Sequence, residues 1–198
     1  PNNYQGVPDL LYLNTGNDRN GRATFREVGA AARIDTGTAE HGLGAVFTDV
    51  TGDGRLDLYV ANDANPNRLY VNVAWPGGIG ADPLGLGFRL VERAGRTGIA
   101  DPNAGMGIAA ADYSGDGRPD LLVTNSHKHL HAVYRSAPPA GGAPTFTDAR
   151  SDIATAFDTG LAGWGSSWVD LDNDGNLDLV LANGPLPVTG LAERPEPV

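Results

Sequence analysis

The stretch DVTGDGRLDLYVAN, residues 49–62, decides the fold of this chain because the chain repeats it. The same pattern returns as DYSGDGRPDLLVTN from Asp112 and as DLDNDGNLDLVLAN from Asp170. Each copy sets aspartates and glycine in a short polar loop and then continues directly into an apolar run. A loop and strand unit that recurs along one chain predicts a repeat architecture.

Matching segments lie on both sides of the three acidic loops. Upstream, GLGAVFTD, GMGIAAAD and GWGSSWVD share a G-x-G start, which suits a strand that its neighbours approach closely. Downstream, LDLYVAN, PDLLVTN and LDLVLAN predict buried strands. A third strand is predicted from DLLYLN, NRLYVN and HAVYRS, and a fourth from TFREV, GFRLVE and TFTDA, with Phe at the same place in each.

Four strands in a period of about sixty residues predict an all-β chain built from the four-stranded antiparallel blades of a β-propeller. The 28 glycines and 14 prolines agree with many short strands joined by turns. We expect about three blades' worth of sequence, as a partial propeller or a fragment of a seven-bladed one. The single segment 1–198 divides into a partial blade 1–41, blades 42–104 and 105–162, and a partial blade 163–198. The Gly- and Pro-rich stretches 15–23, 74–86 and 137–144 are expected to be exposed loops.

The loops themselves predict a cage for a hard cation. Counted from the first aspartate, positions 1, 3, 5 and 9 all carry side-chain oxygen, position 6 is a glycine suited to a sharp turn, and position 7 would give its backbone carbonyl. The predicted ligands are Asp49, Thr51, Asp53, Arg55 and Asp57; Asp112, Ser114, Asp116, Arg118 and Asp120; and Asp170, Asp172, Asp174, Asn176 and Asp178.

Calcium is the expected ion, at about three sites, because a flexible loop with five or six protein oxygens suits a large cation better than magnesium. Position 12 is Val60, Val123 or Leu181, where an EF-hand has a glutamate, so a calcium-bearing β-hairpin is predicted instead. The third loop has four carboxylates and is predicted to bind most tightly. The alternative is that the Asp-Gly pairs only form hairpin turns.

The charge pattern agrees with local cation binding. Ten of the 24 acidic residues lie in the three loops, and the remaining acids balance the 14 basic residues of a chain with a net charge of -10. No basic stripe for nucleic acid is visible, no apolar run is long enough to span a bilayer, and the absence of cysteine excludes disulfides and thiolate sites. A chain that starts on proline without a signal peptide is expected to be a processed or partial product.

Four other sets of residues were considered as candidates for a function. His127, His129 and His131 would share one face of an extended strand and could hold a transition metal, although a solvated connection is the favoured interpretation. Ser166 and Ser167 lack the spacing of a serine nucleophile and are expected to pack in a strand, and His41 is expected to be an ordinary loop residue. The tryptophans are expected to be packing anchors, with Trp75 as the best candidate for a contact residue; the set is Trp75, Trp164 and Trp168.

Together these motifs resemble the FG-GAP/VCBS repeats of integrin-α-type propellers. More closely, residues 42–72 and 163–184 resemble the ASPIC/UnbV group of bacterial and animal proteins. The resemblance implies a calcium-bound propeller that is secreted or periplasmic and acts in adhesion or as a binding platform. The given sequence departs from the group's pattern in showing fewer than the full number of blades and nothing that matches the C-terminal ASPIC/UnbV domain.

We therefore expect a non-enzymatic calcium-stabilised scaffold for a protein partner, with structural metal ions. One alternative is an accessory subunit whose open propeller edges are closed by neighbouring chains. Another is a propeller, catalytic or not, within a polysaccharide-active enzyme. A catalytic propeller would need acid and base groups outside the calcium loops, and the sequence offers no such constellation.

Overall fold

The computed structural model describes residues 5–34, 37–127, 129–141, 143–153 and 160–184. Within these ranges the strands are β1 (Tyr12–Asn17), β2 (Ala23–Glu27), β3 (Gly42–Thr48), β4 (Asp57–Asn62), β5 (Arg68–Ala74), β6 (Phe88–Glu92), β7 (Gly105–Ala111), β8 (Asp120–Asn125), β9 (Ala132–Ala140), β10 (Ala143–Asp148), β11 (Ala162–Val169) and β12 (Asp178–Gly184). The helices are α1 (Gly29–Ala32), α2 (Ala94–Thr97) and α3 (Arg150–Ile153), with a 3₁₀ turn at Ile79–Ala81. None of these described helices is long and apolar enough to cross a bilayer.

The strands form four antiparallel sheets that follow one another along the chain. The orders are β1–β2, then β3–β4–β5–β6, then β7–β8–β9–β10, and then β11–β12. The prediction of an all-β chain with four-stranded antiparallel blades is confirmed. The pair β1–β2 holds the segments aligned with third and fourth strands, and β11–β12 holds those aligned with first and second strands.

The core lies between neighbouring sheets. Tyr59 and Leu69 of the first complete sheet pack with Leu121 and Tyr134 of the second. A second cluster joins this first complete sheet to Leu11, which precedes β1, and a third joins the second complete sheet to β11–β12. Every residue of β4 and of β8 is buried, as expected of strands covered on both faces. The sheets are thus stacked face to face.

The G-x-G starts of β3, β7 and β11 are contact points between sheets. A Cβ atom on Gly44 would lie 2.2 Å from the carbonyl oxygen of Met106, and one on Gly107 would lie 2.1 Å from that of Trp164. The strand register also shifts at each G-x-G, which marks a bulge. The predicted close approach is confirmed at Gly44 and Gly107, where glycine is required because the backbone of the next inner strand occupies the space of a side chain. At Gly165 of β11 the nearest described atom to an added Cβ would be Ala182 Cβ at 3.8 Å.

A short helix after each fourth strand is a feature that the sequence reasoning missed. The carboxylate that ends the strand accepts the N–H two residues later, with Gly29 N to Glu27 Oε1 at 2.6 Å and Ala94 N to Glu92 Oε1 at 2.8 Å. The third copy joins Arg150 N to Asp148 Oδ1 at 3.0 Å. The recurring Glu or Asp at the strand end is the signal that would have predicted the turn.

Two details of the predicted strands are wrong. The first is the expectation that Phe occupies the same place in every fourth strand. Phe25 of β2 lies opposite Asn14, and the residue opposite the equivalent Asn72 is Leu90. Phe88 lies two residues before Leu90, opposite Ala74. Cross-strand pairing therefore sets the alignment of the fourth strands. The stretch 137–144 is also largely strand, because β9 continues to Ala140 and pairs there with the start of β10, despite its Gly and Pro content.

Candidate metal centre in the acidic loops

The first aspartate of each acidic loop organises the backbone of the turn. Asp49 accepts the N–H of Gly52 on Oδ1 and that of Gly54 on Oδ2, both at 2.7 Å. The same position in the other loops behaves alike: Asp112 accepts the N–H of Gly117 at 2.7 Å, and Asp170 accepts that of Gly175 at 3.0 Å. The first aspartate of each loop therefore stabilises the turn through backbone hydrogen bonds.

Two positions of each loop have a positive φ. Position 6 has φ values of 83° at Gly54, 84° at Gly117 and 90° at Gly175, as predicted. Position 4 also lies in the left-handed region, with φ values of 71° at Gly52 and 61° at Asn173. The sequence analysis predicted a sharp turn only at position 6. The signal was available, because position 4 is Gly, Gly and Asn, the residue types that take this conformation at least cost.

The aspartate at position 9 connects the loop to the third strand. Asp57 accepts the N–H of Val50 at 3.1 Å on Oδ2 and that of Asn72 at 2.8 Å on Oδ1. Asp120 likewise accepts the N–H of Ser114 at 3.1 Å and that of Ser136 at 2.8 Å. Asp57 and Asp120 are 1% and 0% exposed, so each is a buried carboxyl group inside a complete blade.

The third copy of position 9 differs from the other two. Asp178 accepts the N–H of Leu171 at 2.9 Å, as its counterparts do within their loops. Its side chain is exposed, and no bond to a third strand is formed within the described residues. The difference follows from the sheet, because β11–β12 has two strands where the complete blades have four.

In the loops of the complete blades, the pKa values of the first and last aspartates are shifted in opposite directions. Burial raises the pKa of Asp57 above its ordinary value and outweighs the N–H bonds that lower it; the same holds for Asp120. Burial also acts to raise the pKa of Asp49 and of Asp112, but there the backbone N–H bonds prevail and leave the pKa below the ordinary value. A cation near position 9 would favour the ionised form that burial disfavours.

The side chains at position 7 contact the carboxylate at position 5. The guanidinium of Arg55 bonds Asp53, and Arg118 Nη2 lies 2.5 Å from Asp116 Oδ2. The sequence reasoning used only the backbone carbonyls of these arginines and missed the ion pairs. In the first two loops a predicted ligand is therefore already paired with a cationic side chain.

The third loop has no such internal counter-ion. Asn176 at position 7 donates to Asp174 through its backbone N–H at 2.7 Å and its amide at 2.9 Å. Ligand oxygens of Asp170, Asp172 and Asp174 all lie within 4.8 Å of one another. Calcium binds oxygen at 2.3–2.6 Å, so two of its ligands can be at most about 5 Å apart, and these three carboxylates fit one ion. Within the described residues, this is where an acidic cluster of metal-binding size forms.

The histidine cluster suggested by HKHLH does not form as an extended strand. The segment is a turn in which His129 N donates to Ser126 O at 3.1 Å. His131 is 3% exposed and its Nδ1 accepts the N–H of Asn125 at 3.0 Å, while His129 is exposed. The premise that His127, His129 and His131 share one face is wrong, because the chain reverses direction here. His41 Nδ1 lies 2.7 Å from Asn65 Oδ1.

The serines and tryptophans mostly serve packing. Ser166 and Ser167 pair with Leu181 and Val180 along β11–β12, which confirms a strand role. Trp168 stacks on Tyr113 with ring centres 5.2 Å apart and an interplanar angle of 14°, so it is a packing anchor as predicted. Trp164 is 41% exposed, and Trp75 is half-buried in the loop between β5 and β6.

A repeated asparagine at the end of each second strand is a structural residue that was missed. Asn62 N donates to Asn67 Oδ1 at 2.9 Å, and its side-chain amide donates to Pro66 O at 2.9 Å. Asn125 makes the same two bonds, to His131 Nδ1 and to the carbonyl of Leu130. The signal was the Asn that closes all three apolar runs.

Comparisons with known proteins agree with this geometry. Residues 49–123, from the first aspartate of the first loop to the strand after the second loop, match the FG-GAP-like repeat family. The chain is 26% identical over 180 residues to cartilage acidic protein 1 of Mus musculus, which covers 89% of this chain and 25% of the mouse protein. The Homo sapiens protein of the same name is 25% identical over 180 residues, covering 89% of this chain and 24% of its own length. The resemblance expected from the sequence is thereby confirmed.

The chain spans about a quarter of the length of the curated relatives that it matches.

Proposed function

We propose that this chain, which carries an FG-GAP-like repeat at residues 49–123, is a calcium-stabilised β-propeller scaffold for protein–protein interaction or adhesion. Its role is non-enzymatic. The sheets provide a rigid frame, and the loops at the ends of the strands provide the surface that a partner meets.

The observation that carries the proposal is the arrangement of the third loop. Asp170, Asp172 and Asp174 bring oxygens within 4.8 Å of one another, and among the described residues no cationic side chain is paired with them. Such a cluster repels itself unless a cation neutralises it. Carboxylate oxygens on an irregular loop are the ligands that calcium prefers, whereas magnesium demands a tighter octahedron.

The residues that would hold the ions are the oxygen donors at positions 1, 3, 5 and 9 and the carbonyl at position 7. They are Asp49, Thr51, Asp53, Arg55 and Asp57; Asp112, Ser114, Asp116, Arg118 and Asp120; and Asp170, Asp172, Asp174, Asn176 and Asp178. A calcium ion supplies positive charge and multiple bonds to oxygen, and no reaction is assigned to it. Since position 9 also bonds the third strand in complete blades, an ion there would stabilise three strands together.

We propose an extracellular or periplasmic location. Loops of this kind in extracellular modules bind calcium at 10⁻⁴–10⁻³ M, a range useful only where calcium is abundant. The name of the matched relatives associates those proteins with cartilage, and this supports the same side of the membrane for the present chain.

A calcium titration followed by calorimetry tests the proposal, with an acid outside the loops as the control. We expect about three ions per chain and the loss of one site in Asp112→Asn. The matched control is Asp18→Asn, because Asp18 also bonds turn N–H groups, those of Asn20 and Arg22, but in the turn between β1 and β2. Absence of calcium binding, or equal loss in both variants, would contradict the proposal.

A further inference from the structure

His131 is a buried imidazole at the joint between two sheets. It directly precedes β9, the third strand of the second complete sheet, and is 3% exposed. Its Nδ1 accepts the backbone N–H of Asn125, the last residue of β8, at 3.0 Å. The same ring lies against β11, because a Cβ on Gly163 would be 2.9 Å from His131 Cε1. One side chain thus contacts the second strand of its own sheet and the first strand of the next sheet.

The preceding sheet has the same joint with a different residue. Asn67, which is 1% exposed, accepts the backbone N–H of Asn62 on Oδ1 at 2.9 Å. A Cβ on Gly105, the first glycine of β7, would be 3.1 Å from that Oδ1. An amide keeps its acceptor oxygen near neutral pH, whereas an imidazole becomes a donor at both nitrogens when it is protonated. The two equivalent joints therefore differ in their ability to take up a proton.

The bond to Asn125 determines which protonation state the folded joint accepts. Nδ1 of His131 can accept an N–H only when it carries no proton, so the neutral ring has its proton on Nε2. A second proton, taken from solvent onto Nδ1, would set two N–H groups against each other. The backbone N–H of Asn125 would then be a buried donor without its acceptor, which destabilises the folded state.

The surroundings of the ring also favour the neutral form. Burial lowers the pKa of His131 below its ordinary value of 6.5, because a charged imidazole is disfavoured away from water. The elements packed against the ring are β8, β11 and the segment 126–130 that precedes β9. No residue of β11 is titratable, and Asp120 lies at the opposite end of β8 from Asn125. The charged or titratable residues of β8, β9 and the segment 126–130 are Asp120, His127, Lys128, His129, Tyr134 and Arg135.

We propose that His131 is an acid-sensitive joint, in which protonation of the imidazole breaks the bond to Asn125 and loosens the contact between the second complete sheet and β11. The joint at Asn67 does not titrate, so the contact between the first complete sheet and β7 stays intact at the same pH. Mild acid thus acts at one joint of the scaffold and leaves the equivalent joint unchanged. This inference goes beyond the proposed function and involves no metal ion.

The direction of the pH dependence follows from the lowered pKa. His131 in the unfolded chain takes up a proton near pH 6.5, whereas the folded chain does so only at a lower pH. The neutral ring therefore adds stability that is complete above pH 6.5 and is lost as the pH falls through the folded value. Between the two values, each pH unit changes the unfolding equilibrium constant by up to about tenfold.

Urea denaturation of the 198-residue chain between about pH 8 and pH 5 tests the joint. His131→Asn installs the residue that the preceding sheet uses at this place, so it replaces the titrating acceptor with one that does not titrate. We expect the variant to lose less stability than the wild-type chain below pH 6.5. His129→Asn is the matched control, because His129 is exposed, and it should leave the pH dependence unchanged. Asn67→His should add a second decline over the same range.

An NMR titration of the wild-type chain tests the same joint without any substitution. The His131 ring should titrate below pH 6.5, and the protection factor of the Asn125 amide should fall as the ring takes up its proton. The protection factor of the Asn62 amide should stay constant over this range, since its acceptor is Asn67. A His131 ring that titrates at or above pH 6.5, constant protection of Asn125, or equal pH dependence of stability in the wild-type and His131→Asn chains overturns the proposal.

Discussion

The carboxylate of Asp57 accepts the backbone N–H of Asn72 at 2.8 Å, so the last acid of the first acidic loop is bonded to a strand outside its own hairpin. Asp120 and Ser136 repeat the relationship in the next blade at the same distance. Each acidic loop of a complete blade is therefore part of the sheet. An ion held there would act on the stability of the whole blade.

The close contact between the inner strands β7 and β11 predicts that one added methyl group lowers the stability of the fold. Gly107→Ala would place Cβ 2.1 Å from the carbonyl oxygen of Trp164, so the backbone must move. Overpacking of this kind costs roughly 1–3 kcal/mol of unfolding free energy, measurable by urea denaturation. Gly165→Ala is the matched control, because its Cβ would meet no atom of the described part of the chain closer than Ala182 Cβ at 3.8 Å. Equal stability of the two variants would refute the close approach.

The ion pair between Arg55 and Asp53 predicts that Arg55 weakens calcium binding at the first loop. Arg55 bonds Asp53, so a calcium ion must compete for that carboxylate. Arg55→Gln removes the competitor and one positive charge, and exposed ion pairs are worth about 0.2–1 kcal/mol, so affinity at this loop should rise by a factor of roughly 1.4 to 5. Calorimetry measures the change. An unchanged or lower affinity would show that the pair does not oppose the ion.

The order of loop filling is a separate prediction. The third loop has four carboxylates and no arginine at position 7, so it should bind calcium most tightly. Asp174→Asn should remove the tightest binding event, while Asp53→Asn should remove a weaker one. A titration in which the third loop fills last would refute this order.

The metal-free protein should lose stability in acid through Asp112. Burial acts to raise its pKa, but N–H bonds from Gly117 and Asp116 outweigh burial, so the pKa lies below the ordinary value of 3.8. A carboxyl with a lower pKa in the folded state adds stability that is complete above the unfolded value and is lost as the pH falls through the folded value.

Asp112→Asn should therefore flatten the decline of unfolding free energy below pH 3.8. Urea denaturation in excess chelator, at pH values on both sides of 3.8, gives the slope. A slope identical to that of the wild-type chain would mean that the turn does not depend on the ionised carboxylate.

Periodicity predicted the strands because each loop and apolar run recurs with its neighbours. Periodicity also predicted which aspartates lie together in each loop, because their spacing is set within a single turn of the chain. It misplaced Phe88, since the alignment of β6 depends on its partner Asn72 in β5 and not on the nearest aromatic residue. It missed the pairing of Arg55 with Asp53, because a pattern of oxygens says nothing about where a long cationic side chain turns.

The shared face considered for the three histidines does not form, for a related reason. Their spacing predicts a shared face only in an extended strand, and the chain instead turns so that His131 becomes a buried acceptor for Asn125. The residue aligned with His131 is Asn67 in the preceding blade, which accepts the same kind of bond. Comparison of the repeats at this position would have indicated a structural role.

The most direct measurement is a thermal melt of the 198-residue chain in excess EGTA and then in millimolar calcium or magnesium. A ligand that binds only the folded state raises its stability by mass action, by about 2.7 kcal/mol at a hundred times the dissociation constant. We predict a rise of several degrees with calcium and little change with magnesium. A melting temperature that is the same in EGTA and in calcium would contradict the account and leave the acidic loops as turns without a metal.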